Sequence, residues 1–158
     1  MGNIRRCRLS ELDRLFLIIN EAARVYEGEI PDDCYGNPYM PIAELKEEFS
    51  RIQFYGWEED GQLVGLMGFE PTKDVTLIRH AYVLPKYQRK GIASSMMDFL
   101  KSKVKTKRLL VGTWKDAWWA IKFYEKQGFR LLPTNELLNV YWDIPKRQVE
   151  TSIVMEME

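Results

Sequence analysis

"YVLPKYQRKGIASSMMDFLKSK", residues 82–103, runs from a strand-like apolar stretch through Pro85 and a basic turn carrying Lys86, Arg89 and Lys90 to Gly91 and a helix. The helix is predicted because Ile92, Met96, Phe99 and Leu100 share one face. A strand that turns on glycine into a helix leaves the first helical N–H groups unpaired, with the positive end of the helix dipole behind them. A phosphate satisfies both, so the junction suits a pyrophosphate. A glycine at a strand–helix turn with solvated lysines around it is also compatible with a plain turn. Two nucleotide motifs are excluded: no GxxxxGK[ST] occurs, and with one glycine at the turn no GxGxxG can be drawn.

Outward from the junction, the spacing predicts one α/β or α+β domain over residues 1–158. Upstream lies a strand at 4–9, then a helix opened by a Ser10/Asp13 capping box and carrying Leu12, Leu15, Phe16, Ile19, Ala22, Ala23 and Tyr26 at helical spacing. Residues 27–40 read as an acidic loop, and a second helix opens near Pro41 with Ile42, Leu45 and Phe49 on one face. Runs at 52–57 and 62–69 flank Asp60-Gly61 as a hairpin, and a third strand covers 75–84. Downstream come a strand at 109–114, a helix at 118–127 ended by Gly128, a strand at 129–132, a short helix at 135–142 and a last strand alternating from Val149 to Met157. Strand–helix–strand from Val75 to Trp114 is a βαβ unit, so the sheet is mixed.

Composition narrows the partners. Lys plus Arg (23) balance Asp plus Glu (23), so no global field draws nucleic acid or an acidic membrane. Five tryptophans come without an RNP-like pattern or a broad basic surface, and Trp114, Trp118 and Trp119 read as packing or a cofactor-site wall. Cys7 and Cys34 show no metal or redox spacing, so no metal is expected and both thiols are expected to stay reduced. No apolar run reaches the ~20 residues that span a bilayer. The opening residues lack the apolar core of a signal peptide and the Ser or Thr of a myristoylation signal, which predicts a cytoplasmic location.

Val83-Leu84-Pro85 followed by Gln88-Arg89-Lys90-Gly91-Ile92-Ala93 resembles the acetyl-CoA signature of the GCN5-related N-acetyltransferase (GNAT) superfamily: a strand ending Val-x-Pro, then Gln/Arg-x-x-Gly-x-Gly/Ala opening a helix. A second block, "AIKFYEKQGF" from Ala120 to Phe129, is similar to the family's Ala-x-x-(Leu/Phe)-Tyr-Glu-Lys-x-Gly-Phe, one strand later. The resemblance covers nearly the whole chain and points to a small prokaryotic subgroup. It implies a central, mixed, mostly antiparallel sheet of six to seven strands flanked by four to five helices, and acetyl-CoA as cofactor.

The resemblance also implies roles. Backbone groups of Val83 and Leu84, freed by a strand bulge, pair with the pantetheine arm and the acetyl carbonyl. The amides of Arg89, Lys90, Gly91, Ile92, Ala93 and Ser94 hold the pyrophosphate, and Gln88 is the first side chain of the motif. Tyr124 takes the family's general-acid position beside the sulfur, although a tyrosine at that spacing is also compatible with a core residue. His80, the only histidine, lies three residues before Val83, near where many relatives place an acidic base, although a lone strand histidine is also compatible with a satisfied core residue; Glu70 and Asp116 are alternative bases. Relatives often carry Asn seven residues before the tyrosine. This chain has Ala117 there, so Asp116, Thr113 or Trp114 is expected to take over that pantetheine contact.

The expected activity is transfer of an acetyl group from acetyl-CoA to a primary amine of a small molecule or peptide, directly in a ternary complex. A non-catalytic acyl-CoA sensor is the alternative, which Ala117 favours and Tyr124 disfavours. Glu27, Glu29, Asp32 and Asp33 beside Tyr26, Tyr35 and Tyr39 suggest that the 27–40 loop attracts a cationic acceptor. The family is often dimeric, so the resemblance is compatible with a homodimer, but nothing in the sequence establishes an interface; nucleic acid and membrane are not expected partners.

Overall fold

The computed structural model describes residues 2–157; Met1 and Glu158, the end residues of the expected domain, lie outside the described residues. A seven-stranded sheet runs in the order β1-β2-β3-β4-β5-β7-β6. Its strands are β1 Asn3–Arg6, β2 Gln53–Glu59, β3 Gln62–Thr72, β4 Val75–Val83, β5 Arg108–Trp114, β6 Phe129–Leu131 and β7 Ser152–Met157. The β4–β5 pairing is parallel and the other neighbours are antiparallel, as the βαβ reading requires.

Helices α1 (Leu12–Ala22) and α2 (Ile42–Glu48) cover one face at the β2–β4 side, where Leu15, Ile18, Ile19 and Leu45 pack on Phe54 and Leu66. Helices α3 (Ile92–Lys101) and α4 (Trp118–Lys126) cover the opposite face, burying Met96, Leu100 and Tyr124 against Ile78, Val111 and Met155. Two short helices, α5 (Leu137–Tyr141) and α6 (Lys146–Glu150), complete the first face over Leu77, Leu110 and Val154.

Three expectations are corrected. Helix α1 is entered through a 3₁₀ turn at Leu9–Glu11, and the reciprocal capping contact is Glu11 Oε1 accepting from the Arg8 N–H at 2.9 Å; Ser10 and Asp13 make none. The described residues hold six α-helices where four to five were expected, because Pro145 caps α6 and shortens the last strand at its start. Val149 and Thr151 alternate like strand residues, yet they belong to this helix and its end. Ile42, placed on the buried face of α2, is exposed; Glu48 is buried in the same helix.

Candidate active site

β4 and β5 pair only from Val75↔Arg108 to Ile78↔Val111. Beyond that β5 stays with β7, and residues 79–83 of β4 separate from it. The divergence begins at a bulge: Leu66 opposes Tyr82 but Gly68 opposes Arg79, so His80 and Ala81 together face Met67. One extra residue in β4 re-aims the strand. His80 takes φ +56°, a left-handed conformation uncommon for a side chain of its size. Gly68 makes room, since a Cβ there would lie 2.6 Å from the Arg79 carbonyl oxygen.

The gap opens into a cavity of about 640 Å³ that extends from the start of α3 to α2 and to the segment between α5 and α6. At the α3 end Gly91 is the N-cap, with φ +80°, and Arg89 is also left-handed, with φ +63°. The first amide to find an acceptor is that of Ser95, bonded to the Gly91 carbonyl at 3.0 Å. The N–H groups of Arg89, Lys90, Gly91, Ile92, Ala93 and Ser94 have no protein acceptor among the described residues. Consecutive free donors at a helix start make a cradle for an anion. Of these residues, Arg89, Gly91, Ile92, Ala93 and Ser94 line the cavity, while the Lys90 ammonium lies over the Tyr87 ring at 5.5 Å. Space around Gly91 is open, so the glycine is required by backbone conformation.

At the end of β4 the Leu84 amide donates to Val64 O at 2.9 Å, which commits it to β3. Alternation then turns the N–H and C=O of Val83 the other way, toward the gap. The Val83 carbonyl accepts from Gln88 Nε2 at 2.9 Å, and its N–H is left for a ligand. Asp116 is exposed and is not part of the cavity wall, whereas Thr113 and Trp114 are.

Tyr124 of α4 lines the middle of the cavity, 7% exposed, edge-on to Phe123 and Phe129. Burial, with a smaller contribution from Tyr26, pushes its phenol well above the ordinary value of 10, so the hydroxyl keeps its proton at neutral pH. That hydroxyl has no protein hydrogen-bond partner among the described residues.

The far end is made of side chains. His80 Nε2 lies 2.5 Å from Glu48 Oε1, and the ring lies near-parallel to those of Phe54 and Tyr82. The bulge places Arg79 beside it, 3.8 Å from Glu48 Oε2 and 2.9 Å from Glu70 Oε1. Glu70 also meets Arg51 at 3.1 Å, so this alternative base is held in an ion-pair network and is absent from the cavity wall. Burial raises the Glu48 carboxyl, but the His80 hydrogen bond and charge and the charges of Arg79 and Arg51 outweigh it, and the net direction is down. Glu44, one turn earlier, lines the same end; partial loss of solvent and then the Glu48 charge push its carboxyl up.

Tyr26, Tyr39, Tyr82, Trp114 and Trp119 wall the space between Tyr124 and His80, with Trp114 Nε1 donating to the Tyr39 hydroxyl at 2.7 Å. The acids of the 27–40 loop lie elsewhere: Glu27, Glu29, Asp32 and Asp33 are exposed, and Asp33 is paired with Arg147 at 2.7 Å. Glu44 and Glu48 are the acids the sequence reading missed. A face of α2 drawn through Ile42, Leu45 and Phe49 left both on the solvent side.

A family model described as "Acetyltransferase (GNAT) domain" matches residues 50–131. The chain is 30% identical over 121 residues to the peptidyl-lysine N-acetyltransferase YiaC of Escherichia coli, covering 72% of this chain and 80% of that one. Its fold is similar to that of the PaiA N-acetyltransferase from Thermoplasma acidophilum in complex with coenzyme A (TM-score 0.74, 18% identity, 100% and 99% of the chains covered). A GNAT family acetyltransferase from Elizabethkingia anophelis with acetyl-CoA bound is also similar in fold (TM-score 0.64, 20% identity, 99% and 97% covered).

Proposed function

Because this chain belongs to the GNAT acetyltransferase family, we propose that it transfers an acetyl group from acetyl-CoA to a primary alkylamine, directly and with both substrates bound. The observation that carries this reading is the run of free amides from Arg89 to Ser94 leading into the β4–β5 gap. These donors suit the pyrophosphate of a coenzyme A thioester, and the free Val83 N–H inside the gap suits its acyl or pantetheine carbonyl. Bound acetyl-CoA supplies a thioester carbonyl open to attack by an amine and a thiolate as leaving group.

The chain's own residues do the rest. The Tyr124 hydroxyl, protonated and without a protein partner, is the donor for the departing sulfur. His80, at the opposite end of the aromatic wall, takes a proton from the incoming ammonium. Glu44 offers that ammonium an unpaired carboxylate, and the aromatic rings exclude water from its alkyl stem. A lysine side chain in a peptide is the first acceptor to test, since the relative YiaC is a peptidyl-lysine acetyltransferase.

Thermal unfolding with acetyl-CoA, coenzyme A, ATP and NAD decides the donor. A ligand at ~100 times its Kd adds ~2.7 kcal/mol of stability, and only the coenzyme A species are expected to produce it. A shift with none of them would overturn the reading. An amine screen under the same conditions then identifies the acceptor.

A further inference from the structure

We propose that Glu48 of α2 is a positioning residue that holds His80 with its proton on Nε2, leaving Nδ1 as the lone pair that deprotonates the acceptor amine. This rests on the function proposed above and adds a residue from a helix outside both sequence motifs.

The geometry carries it. Glu48 is 4% exposed, so a carboxylate there needs a partner, and the His80 Nε2 at 2.5 Å is its nearest. Arg79, 3.8 Å from the other oxygen, favours the ionised, acceptor-only form, which requires Nε2 to be the N–H donor. Rings of Phe54 and Tyr82 lie near-parallel to the imidazole, with centroids 6.1 and 6.5 Å away. His80 Nδ1 makes no protein hydrogen bond among the described residues, yet no side-chain nitrogen or oxygen in them is both buried and unpartnered. Nδ1 is therefore open, in a residue that lines the cavity. Bulge and helix are both needed, since regular alternation would turn Arg79 and His80 to opposite faces, and here Glu48 meets both.

The proton balance is simple. One N–H bond of the acceptor ammonium breaks, an Nδ1–H bond forms, and the amine keeps the electron pair with which it attacks the thioester; the second proton the nitrogen then sheds replaces the one Tyr124 gives the leaving sulfur. The resulting imidazolium retains its Nε2–H on Glu48 and returns the Nδ1 proton to water in the cavity. Charged groups around the pair are Glu44 and Arg51 from α2 and its end, Arg79 from β4, and Glu70 from β3 through Arg79.

His80 is the only histidine, so imidazole ¹⁵N shifts of untagged, labelled protein report this one ring. The wild type is expected to show the Nε2–H tautomer wherever the ring is neutral. In Glu48→Gln the tautomer preference weakens, kcat/KM for the amine falls ~10-fold or more, and the acid limb of its pH profile moves to lower pH. The acetyl-CoA thermal shift persists, and Glu48→Asp restores part of the rate. An Nδ1–H tautomer in the wild type overturns the proposal even if Glu48→Gln does not fold. So does a Glu48→Gln enzyme whose tautomer and acid limb are unchanged. If the wild type binds acetyl-CoA but acetylates no amine, the functional reading has failed, and the tautomer still decides whether Glu48 positions the ring.

Discussion

The two ends of the cavity are built from different materials. At the α3 end the donors are main-chain amides and a helix dipole, set by Gly91 and by the register of β4 against β3. At the α2 end the polar groups are side chains, Glu44 and Glu48 of α2 with Arg79 and His80 at the β4 bulge. Fixed dipoles carry no proton to lose, whereas a general base must be free of its proton to act. Donor binding should therefore be nearly independent of pH between 6 and 9 and turnover should not, a separation that single substitutions can test.

The largest effect is expected at the boundary between the two ends. Tyr124→Phe removes only an oxygen, and its ring contacts with Phe123 and Phe129 survive. Loss of a general acid costs ~10²–10⁴ in kcat, while the acetyl-CoA thermal shift should be retained. If single-turnover kinetics show no loss, the sulfur leaves without Tyr124.

A pair of glycines comes next, one at each end. Gly91→Val forces a β-branched residue into a conformation with φ +80° and should cost ~1–2 kcal/mol of stability together with most of the coenzyme A shift. Gly68→Ala puts a Cβ 2.6 Å from the Arg79 carbonyl, so the bulge must move, at ~1–3 kcal/mol. It should spare coenzyme A binding and impair amine turnover. The same loss of both functions in both variants would mean the ends are coupled through β4.

That contrast explains what the sequence could and could not reveal. The α3 end is contiguous in sequence, so Val83 to Ser94 could be read as a strand, a glycine and a helix start before any coordinates. The mixed sheet followed from the βαβ unit for the same reason. The bulge at His80 has no glycine or proline within β4 to announce it, and without it Glu48 looks like a solvated residue one turn past Glu44. Only the left-handed His80 and the close approach of Gly68 show why an acid is buried there. Asp116 illustrates the reverse error: adjacent in sequence to Ala117, it is exposed and outside the wall of the cavity that Thr113 and Trp114 line.

Acid stability gives a smaller, graded test. The net depression of the Glu48 carboxyl means that its stabilisation is complete above the ordinary value of 4.5 and disappears as pH falls through the folded value. Glu11 behaves alike: the Arg5 hydrogen bond, opposed by burial and aided by the Arg8 amide, holds it down to about 2, so its share is lost between pH 4.5 and 2. Melting temperature should fall across that window. Glu48→Gln and Glu11→Gln should each flatten part of the fall.

The smallest effect is expected where the sequence placed the acceptor site. Asp33 is paired with Arg147 of α6, and Asp32 is exposed outside the cavity, so neither carboxylate meets an amine that enters between Tyr124 and His80. The double variant Asp32→Asn, Asp33→Asn should leave the acceptor KM within about twofold, because neither carboxylate lines the cavity and Asp33 is already paired. Glu44→Gln, one residue inside the cavity wall, should raise the same KM several-fold with kcat unchanged, as expected for a group that binds ground and transition state alike. If the order is reversed, the amine enters over the 27–40 loop, and the side-chain end of the cavity serves the donor instead.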